Sequence, residues 1–222
     1  MVTPSTPVRS PRARRPWVLE ACAVFVAACV LVSGCGGTAA TFDPASPCGI
    51  DGRAAGAYPD LEARLPGALD GAAPTSVDSG RNCSDAALGS LVEHQAAGIR
   101  FAGATWDLGG GRGVSSAIFE LAERDLPAAW MAEFYETGAR TAKRTGNIET
   151  SRPAIEGIAG AAYRLDTLND LSLQTVVSWQ DGGAVRAVLV ASPVSPDASR
   201  ADHDALVAGA LASTIAAAAA GG

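Results

Sequence analysis

The sequence has no dense basic stripe, only two histidines and no recognisable nucleophile motif, and each shortage narrows what the chain can do. Its 222 residues carry 17 basic and 23 acidic side chains, a net charge of −6. An acidic chain is repelled by phosphate backbones, and without clustered cations non-specific nucleic-acid binding has no electrostatic source, so nucleic acid is excluded as a partner. His94 and His203 are the two candidates for a general base, yet neither falls in a triad pattern, and Gly113-Val114-Ser115-Ser116-Ala117 lacks the Gly-x-Ser-x-Gly elbow. Gly109-Gly110-Gly111-Arg112-Gly113 has no Gly-Lys-Ser/Thr ending and reads as a hairpin turn, not a phosphate loop. Cys48, Cys83 and His94 supply fewer ligands than a structural zinc takes, and consecutive helical residues such as Asp202-His203-Asp204 point in different directions. Asp166 and Asp170 flank Asn169 and could pair as carboxylates, though all three are ordinary turn formers. No catalytic residue, metal or cofactor is therefore expected.

What the sequence does have is an export signal. An Arg-rich start ending at Arg14-Arg15 precedes an apolar run from Ala21 to Val32 and then Val32-Ser33-Gly34-Cys35. The run covers about 12 residues at roughly 1.5 Å each, too short for a ~30 Å hydrocarbon core, so it suits a signal peptide better than a permanent span. Aliphatic Val32, small Ser33 and Gly34, and Cys35 resemble a bacterial lipobox position by position. The resemblance implies cleavage before Cys35 and acylation of its thiol, which anchors the domain in a membrane outside the cytoplasm. Export by the general route and by the twin-arginine route both remain open. Loss of Arg9, Arg12, Arg14, Arg15 and Glu20 leaves 13 basic and 22 acidic residues and a net charge of −9. Such a surface does not adsorb to anionic lipid as a whole, which leaves the acyl group on Cys35 as the membrane contact.

Cys22 and Cys29 lie in the leader and Cys35 takes lipid, so Cys48 and Cys83 remain as an even pair, expected to form one disulfide in an oxidising compartment. Closing that loop is worth roughly 4 kcal/mol in the chain-entropy account. The expected organisation is a signal peptide over 1–34, a lipidated cysteine and flexible Gly/Ala/Thr/Ser/Pro-rich tether over 35–59, and one globular domain over 60–220. A short helix begins at Asp60, and Ser84 caps a second carrying Leu88, Leu91 and Val92. Alternation around the Gly-rich turn predicts a hairpin over residues 99–121. A helix follows from Asp125 towards Lys143 and Arg144, then strands over 162–166, 172–179 and 184–191, the last two joined at Asp181-Gly182-Gly183, and a final helix bearing Val207, Leu211 and Ile215.

This order predicts an α+β fold: an antiparallel sheet of about four to six strands with helices packed mainly on one face. The helix over 128–143 with Leu173-Gln174-Thr175-Val176-Val177 and Val185-Arg186-Ala187-Val188-Leu189-Val190 resembles the LpqN-type secreted lipoproteins, whose fold is related to PsbP/Mog1. That resemblance covers about a third of the chain and implies a binding or accessory module of the cell envelope. Arg140, Lys143, Arg144 and Arg152 form the one local basic cluster, a candidate anion site, although Glu136 lies one turn before Arg140 and cations also suit a helix C-terminus. Of the aromatics Trp106, Trp130, Phe134, Tyr135, Tyr163 and Trp179, some could line an apolar pocket between helix and sheet, the others packing in the core. The expectation is a noncatalytic lipoprotein binding an apolar or amphipathic ligand or an envelope protein, with a hydrolase of scattered residues or an assembly factor as the rivals.

Overall fold

A computed structural model of the chain describes residues 42–169, 172–195 and 199–221. The expected signal peptide, Cys35 and Asp170 lie outside the described residues.

Eight strands form one antiparallel sheet: β1 (Gly52–Ala54), β2 (Ser76–Asn82), β3 (Ile99–Gly109), β4 (Arg112–Leu121), β5 (Thr145–Ser151), β6 (Ala162–Asn169), β7 (Ser172–Asp181) and β8 (Ala184–Pro193), in the order β1-β2-β3-β4-β8-β7-β6-β5. The α+β class with an antiparallel sheet is as expected, but the sheet has eight strands and not four to six. The additions are β1, β2 and β5, short or polar segments such as Ser-Val-Asp-Ser-Gly-Arg-Asn that lie towards the two edges, where a strand need not carry apolar residues on both faces. The β3–β4 hairpin turns at Gly109, Gly110 and Gly111, all with positive φ, a backbone conformation that glycine adopts without steric cost.

Four helices pack on the sheet: α1 (Pro59–Glu62), α2 (Asp85–Leu88, continued by a 3-10 turn over Gly89–Val92), α3 (Ala128–Thr141) and α4 (Arg200–Gly221). They occupy both faces, not mainly one. On β8, Ala184, Val188 and Val190 share a cluster with α1 residue Leu61 and α4 residues Val207, Ala210 and Leu211, whereas Val185 packs with Leu88, Leu91 and α3 residue Met131. Residues of opposite parity point to opposite sides, so α1 and α4 cover one face and α2 and α3 the other. The helices are needed on both sides because β7 and β8, at the sheet centre, are buried on both.

The fold also begins earlier than Asp60. Phe42 packs against the core, β1 joins the sheet, and Cys48 is bonded to Cys83 with Cα atoms 5.5 Å apart. The Asp51 carboxylate accepts the Cys83 and Ser84 amides at the start of α2. Of the expected tether 35–59, the part from Phe42 onward is therefore fastened to the domain. α4 is long and apolar enough in length and composition to cross a membrane, and one face of it, His203, Val207, Ala210, Leu211 and Thr214, is buried against the sheet.

Candidate ligand cleft under helix α3

α3 has no Ser, Thr, Asp or Asn to cap it, and the β7–β8 turn does so in their place. The Gln180 Oε1 accepts the Ala128 amide at 3.0 Å while the two protons of its Nε2 are shared among the carbonyls of Leu126, Gly182 and Ala184, and the Leu126 amide donates to Gly183. So anchored, α3 runs across β8, β7, β6 and β5. Met131 and Ala139 seat it on the sheet, and between them the helix stands off to leave a cleft of about 260 Å³.

Leu165 and Val176, both buried, and the hydroxyl of Ser178 line the cleft. Tyr135 and Tyr163 contribute rings, the first set edge-on to Phe119 and Phe134. Ala132, Glu136, Thr150, Ser151, Arg152 and Arg164 complete the lining. The Arg152 guanidinium lies 5.1 Å from the centre of the Tyr163 ring and has no carboxylate within 4 Å among the described residues. Glu136 is held by Arg140 and Arg164 by Asp166 and Asp204, so Arg152 is the lining charge without an ion-pair partner among the described residues. Mixed apolar, aromatic and hydroxyl lining around it suits a small amphipathic molecule with an acidic group.

Of the four expected anion-site residues, only Arg152 lines this cleft. Arg140 is committed to Glu136, donating from Nη2 at 2.6 Å and from Nε at 3.0 Å. Lys143 and Arg144 are exposed and lie past the end of α3, in the turn into β5, so they are not at its carbonyl end in the way the helix expectation had them. Of the aromatics, Trp106 and Trp179 are core residues on the other face, and Trp130 stacks on His94 at 4.4 Å. His94 in turn contacts Glu133 at 2.8 Å.

A second polar cluster sits on the opposite face, under the start of α4. The Arg164 guanidinium donates two bonds to Asp166, at 2.7 and 3.0 Å, and one to Asp204, and Arg200 reaches both carboxylates. The Thr175 hydroxyl donates to Asp166 at 2.5 Å, which spends its one proton. The His203 Nε2, 2.8 Å from the same hydroxyl, must therefore be the donor there, and its Nδ1 accepts from the Ser192 hydroxyl at 2.6 Å. Sequence reasoning singled out Asp166 and His203 separately and missed Thr175 and Ser192, whose only signal is that they are polar in otherwise apolar strands.

Serine, imidazole, hydroxyl and carboxylate in a row suggest a hydrolytic relay, but its accessibility argues otherwise. His203 is 1% exposed and Ser192 5%, so no acyl carbonyl reaches the serine. Burial would raise the Asp166 carboxyl, but the bonds from Arg164 and Thr175 and the charges of Arg164 and Arg200 outweigh it and hold the group below the ordinary carboxylate range. Such a carboxylate is a poor proton acceptor. Burial, with the Arg200 charge, also pushes the His203 imidazole below its usual value. The cluster fastens α4 to β6, β7 and β8.

Among the described residues no group of three or more His, Cys, Asp or Glu side chains could hold a metal ion. The fold and the cleft define an α+β domain with a small cleft between helix and sheet. No family model, no curated protein and no solved structure matches the chain.

Proposed function

We propose that the chain is a membrane-anchored extracytoplasmic lipoprotein whose domain is a noncatalytic binding module for a small amphipathic ligand. Val32-Ser33-Gly34-Cys35 behind a short apolar run supports the anchor, and the Cys48–Cys83 disulfide fits an oxidising compartment. The observation that carries the binding reading is the α3 cleft, where two tyrosines and a guanidinium with no carboxylate partner among the described residues frame a mixed apolar and polar interior. An apolar ring or short chain would lie on Leu165 and Val176 with an acidic group at Arg152. At about 260 Å³ the cleft is at the small end for ligand pockets, which suits a small metabolite or one end of a longer molecule.

Native mass spectrometry of the mature protein, purified from an exporting host without denaturant, tests this. Extra mass that disappears on denaturation and is missing from Tyr163→Ala supports the reading. A clean monomer mass in both overturns it and directs attention to a protein partner. The anchor is tested separately: acyl mass on the Cys35 peptide supports it, and a Cys35→Ser protein that stays on the membrane while the wild type lacks acyl mass overturns it.

A further inference from the structure

At the disulfide end of the sheet, away from the α3 cleft, lies a groove of about 640 Å³ lined in part by Ser46, Cys48, Tyr58, Arg81, Arg100 and Arg124. Arg81 is 4% exposed and yet has no carboxylate within 4 Å among the described residues. Its guanidinium donates to the Ser46 carbonyl at 2.5 Å, the Ser46 hydroxyl at 2.8 Å and the Ile50 carbonyl at 3.3 Å, and lies over the Phe42 ring. Those bonds satisfy donors and leave the positive charge uncompensated, a costly state for a buried ion. Arg124 also lacks an acidic partner among the described residues: it donates to the His94 carbonyl and covers Trp130 at 5.0 Å. Arg100 shares Glu120 with Arg64. Glu123 is the one acid lining the groove. In a domain of net charge −9, two guanidiniums without counter-ions among the described residues give this groove a local positive charge: Arg81 supplies it from within, its donors already engaged, and exposed Arg124 keeps donors that match phosphate oxygens.

The place of the groove names the anion. Ser46 and Cys48 lie a few residues after Phe42, and only Gly36–Thr41 separate Phe42 from Cys35. Seven Cα steps span at most about 25 Å, so an acylated Cys35 keeps this end of the domain at the lipid headgroups. We infer that the groove binds the phosphate of an anionic phospholipid headgroup and so docks the disulfide end of the domain on the leaflet that holds its anchor. The inference rests on lipidation of Cys35. The strongly negative remainder of the surface opposes wider adsorption, which confines contact to this groove.

The test uses the mature lipoprotein in neutral detergent, titrated with dihexanoylphosphatidylglycerol, dihexanoylphosphatidylcholine and inorganic phosphate and read by native mass spectrometry. One phosphatidylglycerol is expected to bind at least tenfold more tightly than either other probe. Arg124→Gln, at an exposed position, is expected to weaken it about tenfold, and Glu123→Gln to tighten it severalfold, a gain that misfolding does not produce. Equal binding of phosphatidylcholine, or no change in either variant, overturns the site. Phosphate binding as tightly and displacing the lipid overturns the headgroup and leaves a site for a free anion. The same spectra report the acyl mass on Cys35: its absence beside intact phosphatidylglycerol binding overturns the anchor alone, and its presence without that binding overturns the groove alone.

Discussion

The two long helices lie on opposite faces of one sheet, and they close it in different ways. Under α4 the polar groups are matched: Thr214 donates to Ser116, Ser192 to His203, His203 to Thr175, and Thr175 to Asp166, which also takes Arg164 and Arg200. Under α3 the contact is apolar where Met131 and Ala139 touch the sheet, and between them it opens into a cleft that Arg152 lines without a carboxylate partner. A polar cluster that is buried and satisfied specifies how a helix docks, whereas an open cleft beside an exposed cation leaves room for a ligand. A hydroxyl–imidazole–carboxylate chain is thus, in this molecule, the fastening, and the plainer cleft is the proposed site.

The largest effect that would test this contrast is expected at Asp166. Asp166→Ala leaves Arg164, Arg200 and the Thr175 hydroxyl without their common acceptor and should cost about 3 kcal/mol, read as a shift in the urea midpoint. Tyr163→Ala, at the cleft, should cost no more than about 1.5 kcal/mol. Equal losses would mean that the α3 face is fastened as tightly as the α4 face.

Next is the response to acid. The His203 imidazole titrates lower in the fold than in the unfolded chain, so below about pH 6.5 the unfolded chain takes up a proton that the folded one refuses. Stability is therefore greatest above that pH and falls on acidification by up to about 1.4 kcal/mol per pH unit for this one proton, until the folded His203 also titrates. Asp166 and Asp204, both held below the ordinary carboxylate range against the effect of burial, contribute stability above about pH 4 that is lost as pH falls through their folded values. Urea midpoints at pH 7.5 and pH 5 should differ in the wild type and differ less in His203→Gln. An unchanged difference would place the acid sensitivity elsewhere.

Sequence pattern reaches the hairpins and the main helices because their signals are local. Glycines at 109–111 and Asp181-Gly182-Gly183 mark turns, and the flanking strands alternate. β2 and β5 escape because their inward residues are held by polar partners or lie at an edge: Ser79 accepts the Tyr58 amide and donates to Glu62, and most of β5 is exposed. The two-sided packing escapes because it depends on which parity of β7 and β8 faces which helix, and residues of both parities are buried, including polar Gln174, Thr175 and Ser178 that sequence alone places at a surface. At the cleft, Tyr135, Tyr163 and Arg152 are each conspicuous in sequence, but in separate groups, and only pairing of β6 with β5 and β7 brings them together. Neither Ser192 nor Thr175 belongs to any motif, since their common partner lies on a helix beyond β8.

Smaller still is Ser192→Ala, which removes one buried hydrogen bond to His203 and should cost about 1 kcal/mol while leaving every binding property intact. Loss of an activity in that variant, with the fold retained, would restore the hydrolase.

The smallest stability change and the most specific loss should come together at Arg152. Its guanidinium is exposed, touches the Tyr163 ring and holds no carboxylate among the described residues, so Arg152→Gln should move the urea midpoint by less than about 0.5 kcal/mol. If the cleft takes an acidic ligand, the same change should abolish the extra native mass, and Arg152→Lys should restore part of it, because an ammonium supplies the charge without the planar pair of donors. Arg144→Gln is the matched control, since Arg144 is exposed and does not line the cleft. Loss of ligand in both variants would mean that overall charge and not the cleft governs binding. Loss in Arg152→Gln alone would place the ligand's acidic group beside Tyr163.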